Sequence, residues 1–243
     1  MQSGAQTTTL ADHMLPRILE PEVMDTEVEA LDYDAMDFDR VNGAFCEDLL
    51  RRFPSPRVCL DVGTGTGRIP LLLCTRDRNV RVVGVDLAEQ MLKKAQANIA
   101  AAGFTSRASF RVADAKSLAG TRPFDLVMSN SLIHHIPNPG EALLAMWACV
   151  APGGGLFVRD LYRPPTEKAL EEILIRNGGA SPEDPAERSQ FERQLGLFRA
   201  SLHAALTLEE ARALAEQLPG ASSEVTMTSD YHWTLSATKP RKP

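Results

Sequence analysis

Short apolar runs alternate with amphipathic stretches through the middle of the chain. The apolar runs have the length of strands, and the stretches between them carry apolar residues at helical spacing or contain turn residues. Strands that are apolar on both faces and joined by helices indicate a mostly parallel sheet, so we predict an α/β fold with a doubly wound, Rossmann-like sheet. The predicted strands are 57–62, 80–86, 108–113, 124–129 and 155–161, and the predicted helices are 42–53, 68–74, 88–102 and 139–150.

An insertion follows the fifth predicted strand. Residues 163–206 carry two helical stretches, near 166–176 and 186–205, on either side of a turn-rich segment. Long insertions usually form lids, so we expect a helical cap over a substrate. The remaining predicted elements are a helix that starts at a capping box of Thr207 and Glu210, and two closing strands, 222–228 and 232–238.

The first 41 residues precede the alternating core and are rich in Asp and Glu. They carry scattered apolar side chains, among them Tyr33, and are expected to form short helices. We therefore divide the chain into an N-terminal acidic lid, 1–41, and a main domain, 42–243, that contains the insertion.

Composition narrows the classes of function. The 243 residues suit one large α/β domain, and an apolar content of 44% is ordinary for a globular protein. A formal net charge of −6 disfavours nucleic-acid binding through bulk electrostatics. The polar start and the lack of a long apolar run predict neither a signal peptide nor a membrane span, so we expect a cytoplasmic protein.

The cysteines predict no metal centre. Cys46, Cys59, Cys74 and Cys149 form no Cys-x-x-Cys pair, which disfavours a zinc knuckle or a redox dithiol. Cys59 lies in an apolar strand and is expected to be a small core residue. We predict reduced thiols and no metal site.

A glycine-rich loop, Asp61-Val-Gly-Thr-Gly-Thr-Gly67, follows the first predicted strand. Glycines between a strand and a helix let backbone N–H groups approach a ligand closely. The sixth position counted from Gly63 or Gly65 is not glycine, and no Gly-Lys-Ser/Thr follows. The register therefore disfavours dinucleotides and Walker-type nucleotide binding, and leaves another nucleotide-like ligand.

Two aspartates end the next two predicted strands. Asp86 lies nineteen residues after Gly67, where a carboxylate can accept both hydroxyls of a ribose. The same residue can also favour the N-terminus of the following helix, and the two roles are compatible. Asp114 can accept from an adenine amino group or serve as a turn aspartate, and the residues alone leave both roles open.

Five sequence blocks occur in a fixed order between residues 57 and 161. They are 58–67, 83–86, 112–115, 124–136 and 144–155. Together they resemble the blocks of the class I S-adenosylmethionine-dependent methyltransferases, and the Val-Ala-Pro-Gly-Gly-Gly-Leu turn is especially typical of that family. The resemblance implies a seven-stranded sheet whose last strand runs antiparallel. It also implies S-adenosyl-L-methionine as cofactor, with S-adenosyl-L-homocysteine as product.

The resemblance implies roles for single residues as well. In that family the glycine loop holds the methionine part, the acid after strand two binds ribose, residues after strand three frame adenine, and strand four ends beside the sulfonium. Tyr33 would match an aromatic lid over the cofactor, or would pack within the lid. The other positions are, in that order, Asp61 with Gly63, Thr64, Gly65 and Gly67; Asp86 with Leu87 and Met91; Asp114 with Ala115; and Ser129 with Asn130.

Methyl transfer needs an aligned nucleophile, and a base only where that nucleophile is protonated, so no fixed triad is expected. His134 follows the fourth strand and suits proton removal near neutral pH, or it caps the turn before Pro137. Asp160 and Tyr162 end the fifth strand. We take His134, Asp160 and Tyr162 as candidate catalytic residues.

Three further residues are candidates for substrate binding. Arg159 and Arg163 flank the fifth strand's end and can bind a carboxylate or phosphate, or form a surface ion-pair cluster. His203 on the insertion can line the pocket from above, as can His232 on the hairpin, although a structural role is open for both.

The segment Ser129-Asn-Ser-Leu132 lacks the Asn/Asp-Pro-Pro-aromatic motif typical of enzymes that methylate amines of nucleic-acid bases. A small-molecule acceptor is favoured, with O, N, S or C as the methylated atom. The alternatives are a tRNA-modifying methyltransferase, a user of a modified cofactor, and a non-catalytic regulatory module that binds the cofactor. We expect a small-molecule substrate, no nucleic-acid or membrane partner, and a monomer or homodimer.

Overall fold

The computed structural model describes residues 14–20, 39–118 and 123–241. The strands in these ranges are β1 (Val58–Val62), β2 (Arg81–Asp86), β3 (Ala108–Val112), β4 (Phe124–Asn130), β5 (Val150–Leu161), β6 (Ser222–Met227) and β7 (His232–Thr238). The helices are α1 (Asp39–Arg52), α2 (Arg68–Arg76), α3 (Glu89–Ala101), α4 (Pro139–Ala148), α5 (Glu167–Asn177), α6 (Pro185–Ala204) and α7 (Leu208–Ala215), with a short 3₁₀ helix at Ile133–His135.

The strands form one seven-stranded sheet in the order β3-β2-β1-β4-β5-β7-β6. The first five strands pair in parallel, and β7 pairs antiparallel with both β5 and β6. The predicted α/β fold, with seven strands and an antiparallel last strand, is confirmed. The strand order reverses between β1 and β4, and ligands of such sheets bind at this switch point, outside the carboxyl ends of the strands.

Both faces of the sheet are covered. Leu60 and Val158 belong to a core that includes residues of α4 and α7, whereas Cys59 and Phe157 face a second core with residues of α1, α2 and α3. Neighbouring positions on one strand thus pack in opposite cores, which explains the continuous apolar runs of the sequence. All four cysteines are free and buried, and the prediction that Cys59 is a core residue is confirmed.

The start of β5 differs from the prediction. We expected a helix as far as residue 150 and a strand from residue 155, but Val150 already pairs with Phe124 of β4. The Pro-Gly-Gly-Gly turn is therefore an irregularity inside the strand. A Cβ on Gly155 would overlap the ring of Phe53, the residue that follows α1, so a larger residue here would require that ring to move.

The insertion has a small core of its own. Leu170 of α5 and Leu202 of α6 lie in it, and Leu15 packs against it from the N-terminal side. The predicted capping box is confirmed, because Glu210 N donates to Thr207 Oγ1 at 3.2 Å and Thr207 N donates to Glu210 Oε2 at 2.8 Å. The insertion thus packs as a unit that ends where α7 begins.

Only part of the predicted lid lies within the described residues. Residues 14–20, which we call the strap, contain no helix, so the prediction of helical structure is wrong for them. The strap is held in place by backbone bonds to the insertion, from Leu15 N to Pro165 O at 3.2 Å and from Ile18 N to His203 O at 3.1 Å. Tyr33 lies outside the described residues. Among the described helices, none combines the length and the apolar character needed to cross a membrane.

Candidate active site

The loop after β1 is left-handed at alternate residues. Gly63, Gly65 and Gly67 have φ values of 73°, 52° and 76°, which residues with a Cβ rarely adopt. The N–H groups of Gly63 and Thr64 donate to Val85 O at 2.8 and 3.0 Å, which ties the loop to β2. The predicted glycine loop is a fixed turn between β1 and α2.

Two of these glycines mark close approaches to other segments. A Cβ at Gly63 would lie 2.9 Å from the Leu132 side chain, in the segment that follows β4. A Cβ at Gly67 would lie 2.9 Å from Ala95 Cβ in α3. The loops after β1 and β4 therefore meet at the switch point of the sheet.

Asp86 connects the loop to the next helix. Its Oδ2 accepts from Gly65 N at 2.8 Å, and its Oδ1 accepts from Ala88 N at 3.0 Å. The role at the helix N-terminus is thus present, and the carboxylate is oriented toward the loop. Of the residues predicted beside it, Leu87 is exposed and Met91 is buried in α3.

Asp61 lies buried beneath the loop. Its Oδ2 accepts the hydroxyl of Thr64 at 2.7 Å. Burial raises the pKa of Asp61 to about 7; the Thr64 hydrogen bond opposes this shift and the negative charge of Asp86 adds to it. Thr64 therefore uses its hydroxyl to hold Asp61 in place.

The end of β3 lies beside Asp86, since Ala113 N donates to Asp86 O at 3.0 Å. Asp114 Oδ1 accepts from Lys116 N at 2.8 Å and lies 3.4 Å from Lys116 Nζ. This is the turn role that the sequence left open, and Ala115 is buried behind it. Three aspartates thus follow one another along this edge, at the ends of β1, β2 and β3.

The two predicted residues at the end of β4 differ in their surroundings. Ser129 is buried and its hydroxyl donates to Val62 O at 2.7 Å, so it joins β4 to β1. Asn130 Oδ1 is also buried but has no hydrogen-bond partner among the described residues. A buried acceptor without a partner destabilises the folded state. A hydrogen-bond donor of a bound ligand would therefore be favourable at Asn130 Oδ1.

His134 and Asp160 form a buried pair at the ends of β4 and β5. His134 Nδ1 lies 2.5 Å from Asp160 Oδ1, and the Asp160 carboxylate also accepts the N–H groups of Ile133 and Leu161. Burial alone would lower the pKa of His134, but the Asp160 carboxylate holds it above its ordinary value. Burial alone would raise the pKa of Asp160, but His134 and the Leu161 N–H hold it below its ordinary value.

The strap covers this pair. Arg17 donates to four backbone carbonyls, those of Ala204 at 2.7 Å, Pro137 at 3.2 Å, His134 at 3.1 Å and Ile136 at 3.0 Å. Three of these carbonyls belong to the segment after β4 and the fourth ends α6. Arg17 thus joins the insertion to the segment that carries His134.

Glu20 extends from the strap to two adjacent histidines. Its Oε1 lies 3.5 Å from His134 Nε2 and 3.2 Å from His135 Nδ1, and accepts the Ser201 hydroxyl at 2.9 Å. Burial lowers the pKa of His135 to about 3, with the charge of His134 adding to the shift, so His135 is neutral. Sequence reasoning missed Arg17 and Glu20, because their partners lie more than a hundred residues away.

Arg159 does not face this site. It lies on the opposite face of β5 from Asp160, where Nη2 is 2.6 Å from Asp48 Oδ2 and Nε donates to Thr234 Oγ1 at 2.9 Å. Of the two roles that the sequence left open for Arg159, these contacts are those of the ion pair, which fastens α1 to the sheet. Phe157, two positions earlier, faces the same core as α1 and carries the signal that could have revealed this.

Arg163 is also engaged within the protein. It is buried and donates to Ala205 O at 2.9 Å and to Glu210 Oε1 at 2.7 Å, so it fastens the insertion to the capping box. The ion pair that the sequence left open for Arg163 is thus present, and a substrate role stays a prediction. His203 Nε2 lies 3.5 Å from Glu167 Oε1, a half-exposed contact between α6 and α5.

Tyr162 and His232 lie further along the same end of the sheet. Tyr162 N donates to Tyr231 O at 2.9 Å, and burial raises the pKa of the Tyr162 hydroxyl. His232 Nδ1 lies 2.9 Å from Ser229 Oγ, and burial lowers its pKa to about 4. The described contacts of His232 are thus those of a structural histidine.

A family model described as a methyltransferase domain matches residues 55–199, more than half of the chain. The chain belongs to this family of methyltransferase domains. The matched range contains the glycine loop, Asp86, Asp114, His134 and Asp160. The strap, α7 and the β6–β7 hairpin lie outside it.

Two curated relatives and one solved structure illustrate the likeness of this methyltransferase domain. A trans-aconitate 2-methyltransferase from Methylobacterium radiotolerans is 29% identical over 153 residues, which cover 61% of this chain and 56% of the relative. A ubiquinone biosynthesis O-methyltransferase from Leptothrix cholodnii is 31% identical over 163 residues, which cover 64% of this chain and 66% of the relative. The match therefore spans between half and two thirds of each relative's length.

The solved structure is that of the plantazolicin methyltransferase BamL in complex with a desmethyl-plantazolicin analog and S-adenosyl-L-homocysteine. It superimposes with a TM-score of 0.63 over 88% of this chain and 90% of that chain, at 16% sequence identity. At this identity the likeness shows a shared fold.

Proposed function

We propose that this chain is an S-adenosyl-L-methionine-dependent methyltransferase that acts on a small-molecule acceptor. The observation that carries the proposal is the hydrogen bond from Gly65 N to the Asp86 carboxylate. It connects the glycine loop to the end of β2, beside the switch point of the sheet. When bound, the cofactor supplies a methyl group that its sulfonium activates. The protein's own part is to bind and align the two molecules and to exclude water.

The residues at this edge fit the cofactor. Asn130 ends β4, the strand next to β1, and its buried Oδ1 has no donor within the described part of the chain, so a donor of a bound cofactor would satisfy it. The residues that would hold the methionine, ribose and adenine parts are the loop with Asp61, then Asp86, then Asp114. Of these residues, Asp86 is the best one to substitute in a test, because Gly65 N of the loop donates to its carboxylate.

The acceptor would lie on the side of His134, Asp160 and Tyr162. The end of β4 is next to the end of β1 in the sheet, with β5 on the other side of β4, and Leu132 lies close to the glycine loop. The strap is bonded across this side, which supports a small acceptor over a polymer. The names of the curated relatives, which refer to trans-aconitate and to ubiquinone biosynthesis, support the same class.

His134 lies between two carboxylates. Both of its ring nitrogens face carboxylates, Nδ1 toward Asp160 at 2.5 Å and Nε2 toward Glu20 at 3.5 Å. A role as general base therefore requires Glu20 to move away from Nε2. The proton would then pass from the acceptor to Nε2, with Asp160 holding the ring.

Calorimetric titration of the full chain with S-adenosyl-L-methionine and S-adenosyl-L-homocysteine tests the proposal. We expect one site for each, and at least a tenfold loss of affinity in Asp86→Ala. Asp125→Ala is the matched control, because Asp125 accepts the N–H of Val58 at 3.0 Å at the opposite end of the sheet. Absence of binding by the wild type, or equal affinity in Asp86→Ala, would contradict the cofactor assignment.

Two further measurements separate the alternatives. Retention of small RNA that falls steeply with salt would favour the tRNA-modifying alternative, whereas we expect no retention because the net charge is −6. Formation of S-adenosyl-L-homocysteine with a panel of small carboxylic acids and phenols is expected for an enzyme. Tight cofactor binding without turnover on any member would favour the regulatory module.

A further inference from the structure

Three side chains that can ligate a metal converge where the strap meets the segment after β4. The sequence analysis predicted no metal site. Glu20, His134 and His135 each contribute one ligand atom, and the three atoms lie within 4.8 Å of one another. Glu20 comes from the strap, and the two histidines come from the 3₁₀ helix after β4. No stretch of sequence brings these residues together, so only the fold reveals the cluster.

We propose that Glu20, His134 and His135 bind one divalent first-row cation, for which Zn²⁺ is the best fit. Bonds of about 2.0–2.2 Å from Zn²⁺ to histidine nitrogen and carboxylate oxygen place tetrahedral ligand atoms about 3.4 Å apart. Glu20 Oε1 lies 3.5 Å from His134 Nε2 and 3.2 Å from His135 Nδ1. Two histidines with one glutamate are a donor set that zinc uses in proteins.

Hydrogen bonding explains the cluster less well than an ion does. His135 Nδ1 is buried and has no hydrogen-bond partner among the described residues, although Glu20 Oε1 lies 3.2 Å away. The contact therefore has a suitable length but unsuitable angles for a hydrogen bond. A cation between the two atoms would satisfy the nitrogen lone pair and the carboxylate together.

The surroundings of His134 favour ligation as well. Asp160 binds the other ring nitrogen at 2.5 Å and is itself fixed by the N–H groups of Ile133 and Leu161. Histidines that ligate metals commonly carry such a carboxylate on the second nitrogen, which sets the tautomer and the ring orientation. His134 Nε2 is then left as the ligand atom.

The local charges also permit a cation. Glu20 and Asp160 bring two negative charges to the histidine pair, while Arg17 brings one positive charge and donates to backbone carbonyls. Three protein ligands leave a fourth position on a tetrahedral ion for water or for an oxygen of the acceptor. Ligation would give His134 a role different from that of a general base.

Titration of the metal-stripped full chain with Zn²⁺ alone tests the site, with Co²⁺ as an optical probe of the coordination. We expect one equivalent of Zn²⁺ and visible Co²⁺ bands of tetrahedral intensity. Glu20→Gln and His135→Asn should each weaken Zn²⁺ binding at least tenfold. His203→Asn is the matched control, because His203 Nε2 also lies 3.5 Å from a glutamate oxygen but belongs to no described cluster of three ligands.

The outcomes are separable from those of the proposed function. Lack of saturable Zn²⁺ binding, or wild-type affinity in both variants, would overturn the ion site. Thermal unfolding and S-adenosyl-L-homocysteine binding in metal-free buffer show whether each variant is folded. Zn²⁺ binding without cofactor binding contradicts the proposed function alone, and the reverse result contradicts the ion site alone.

Discussion

The two halves of the sheet's carboxyl edge, which we name the cofactor half and the acceptor half after their proposed roles, are built in different ways. The cofactor half, at the ends of β1, β2 and β3, consists of turns whose partners are close in sequence, such as Asp61 with Thr64 three residues away and Gly65 with Asp86 21 residues away. The acceptor half, at the ends of β4 and β5, depends on distant partners, such as Arg17 with His134 117 residues away. This difference suggests that the acceptor half can change while the cofactor half stays intact.

The largest effect is expected in the acceptor half, from Asp160→Asn. Removal of one charge from a buried pair should lower the free energy of unfolding by about 3 to 5 kcal/mol. Affinity for S-adenosyl-L-homocysteine should stay within about twofold, because the described hydrogen bonds of the Asp86 carboxylate go to Gly65 and Ala88, whereas those of the Asp160 carboxylate go to the segment after β4 and to Leu161. Urea unfolding and calorimetry measure the two quantities.

Glu171→Gln is the control for that variant. Glu171 forms an exposed pair with Arg199 at 2.6 Å, and its loss should leave the free energy of unfolding nearly unchanged because solvent screens the pair. A parallel fall of stability and cofactor affinity in Asp160→Asn would break the distinction between the halves.

In the cofactor half, the buried Asp61 should make stability depend on pH. Its pKa is raised to about 7 in the folded protein, against about 3.9 in an unfolded chain. The folded state therefore binds this proton more tightly, and stability falls as pH rises between about 4 and 7 and levels off above. Relative to Asp61→Asn, the wild type should lose roughly 2 to 4 kcal/mol over that range. Urea unfolding at both ends of the range measures it, and a difference that is constant with pH would contradict the raised pKa.

Gly63→Ala should weaken S-adenosyl-L-homocysteine binding about 100-fold, or about 2.7 kcal/mol. The new Cβ combines a φ of 73° with a contact of 2.9 Å to Leu132, where the two halves touch. Gly103→Ala is the matched control, since Gly103 has a φ of 77° but open space around it. Calorimetry should show normal binding in the control, which should lose only about 1 kcal/mol of stability. Equal binding in both variants would mean that the loops do not need to approach each other.

The smallest effect is expected from Arg17→Ala, which removes the side chain that fastens the strap. The free energy of unfolding should fall by about 1.5 kcal/mol. Hydrogen exchange at the Ile18 N–H, bonded to His203 O, should accelerate, while exchange at the Gly65 N–H stays unchanged. Arg188→Ala is the control, because Arg188 donates within its own exposed segment to Pro182 O and Glu183 O. Faster exchange at Gly65 would show that the halves are coupled.

The same difference explains how much the sequence predicts. The glycine register and Asp86 belong to one strand–loop–helix unit, whose geometry follows from local rules, and the structure has the loop where we expected it. The positions of His134 and Asp160 at strand ends were also predictable, because β4 and β5 are parallel neighbours. Their direct contact was not predicted, since strand ends alone do not fix side-chain direction.

Contacts between residues that are far apart in the sequence cannot be predicted from such local rules. Glu20 meets His134 and His135 only because the strap crosses the insertion, which no periodicity indicates. The ion pair of Arg159 differs from these contacts, because its side of the sheet can be predicted from the sequence. The alternation of side chains along β5 places Arg159 on the same face as Phe157 and opposite to Asp160, so the sequence held that information.

The bond from Arg17 to the carbonyl of Ala204, 187 residues away, has a consequence for biosynthesis. A ribosome releases the strap well before its docking site at the end of α6, which emerges only after 187 further residues have been translated. At roughly 5 to 20 residues per second, the strap waits at least about ten seconds for its partner. The β1–β4 framework can assemble during that interval, so closure over the acceptor half is expected to be a late event in folding on the ribosome.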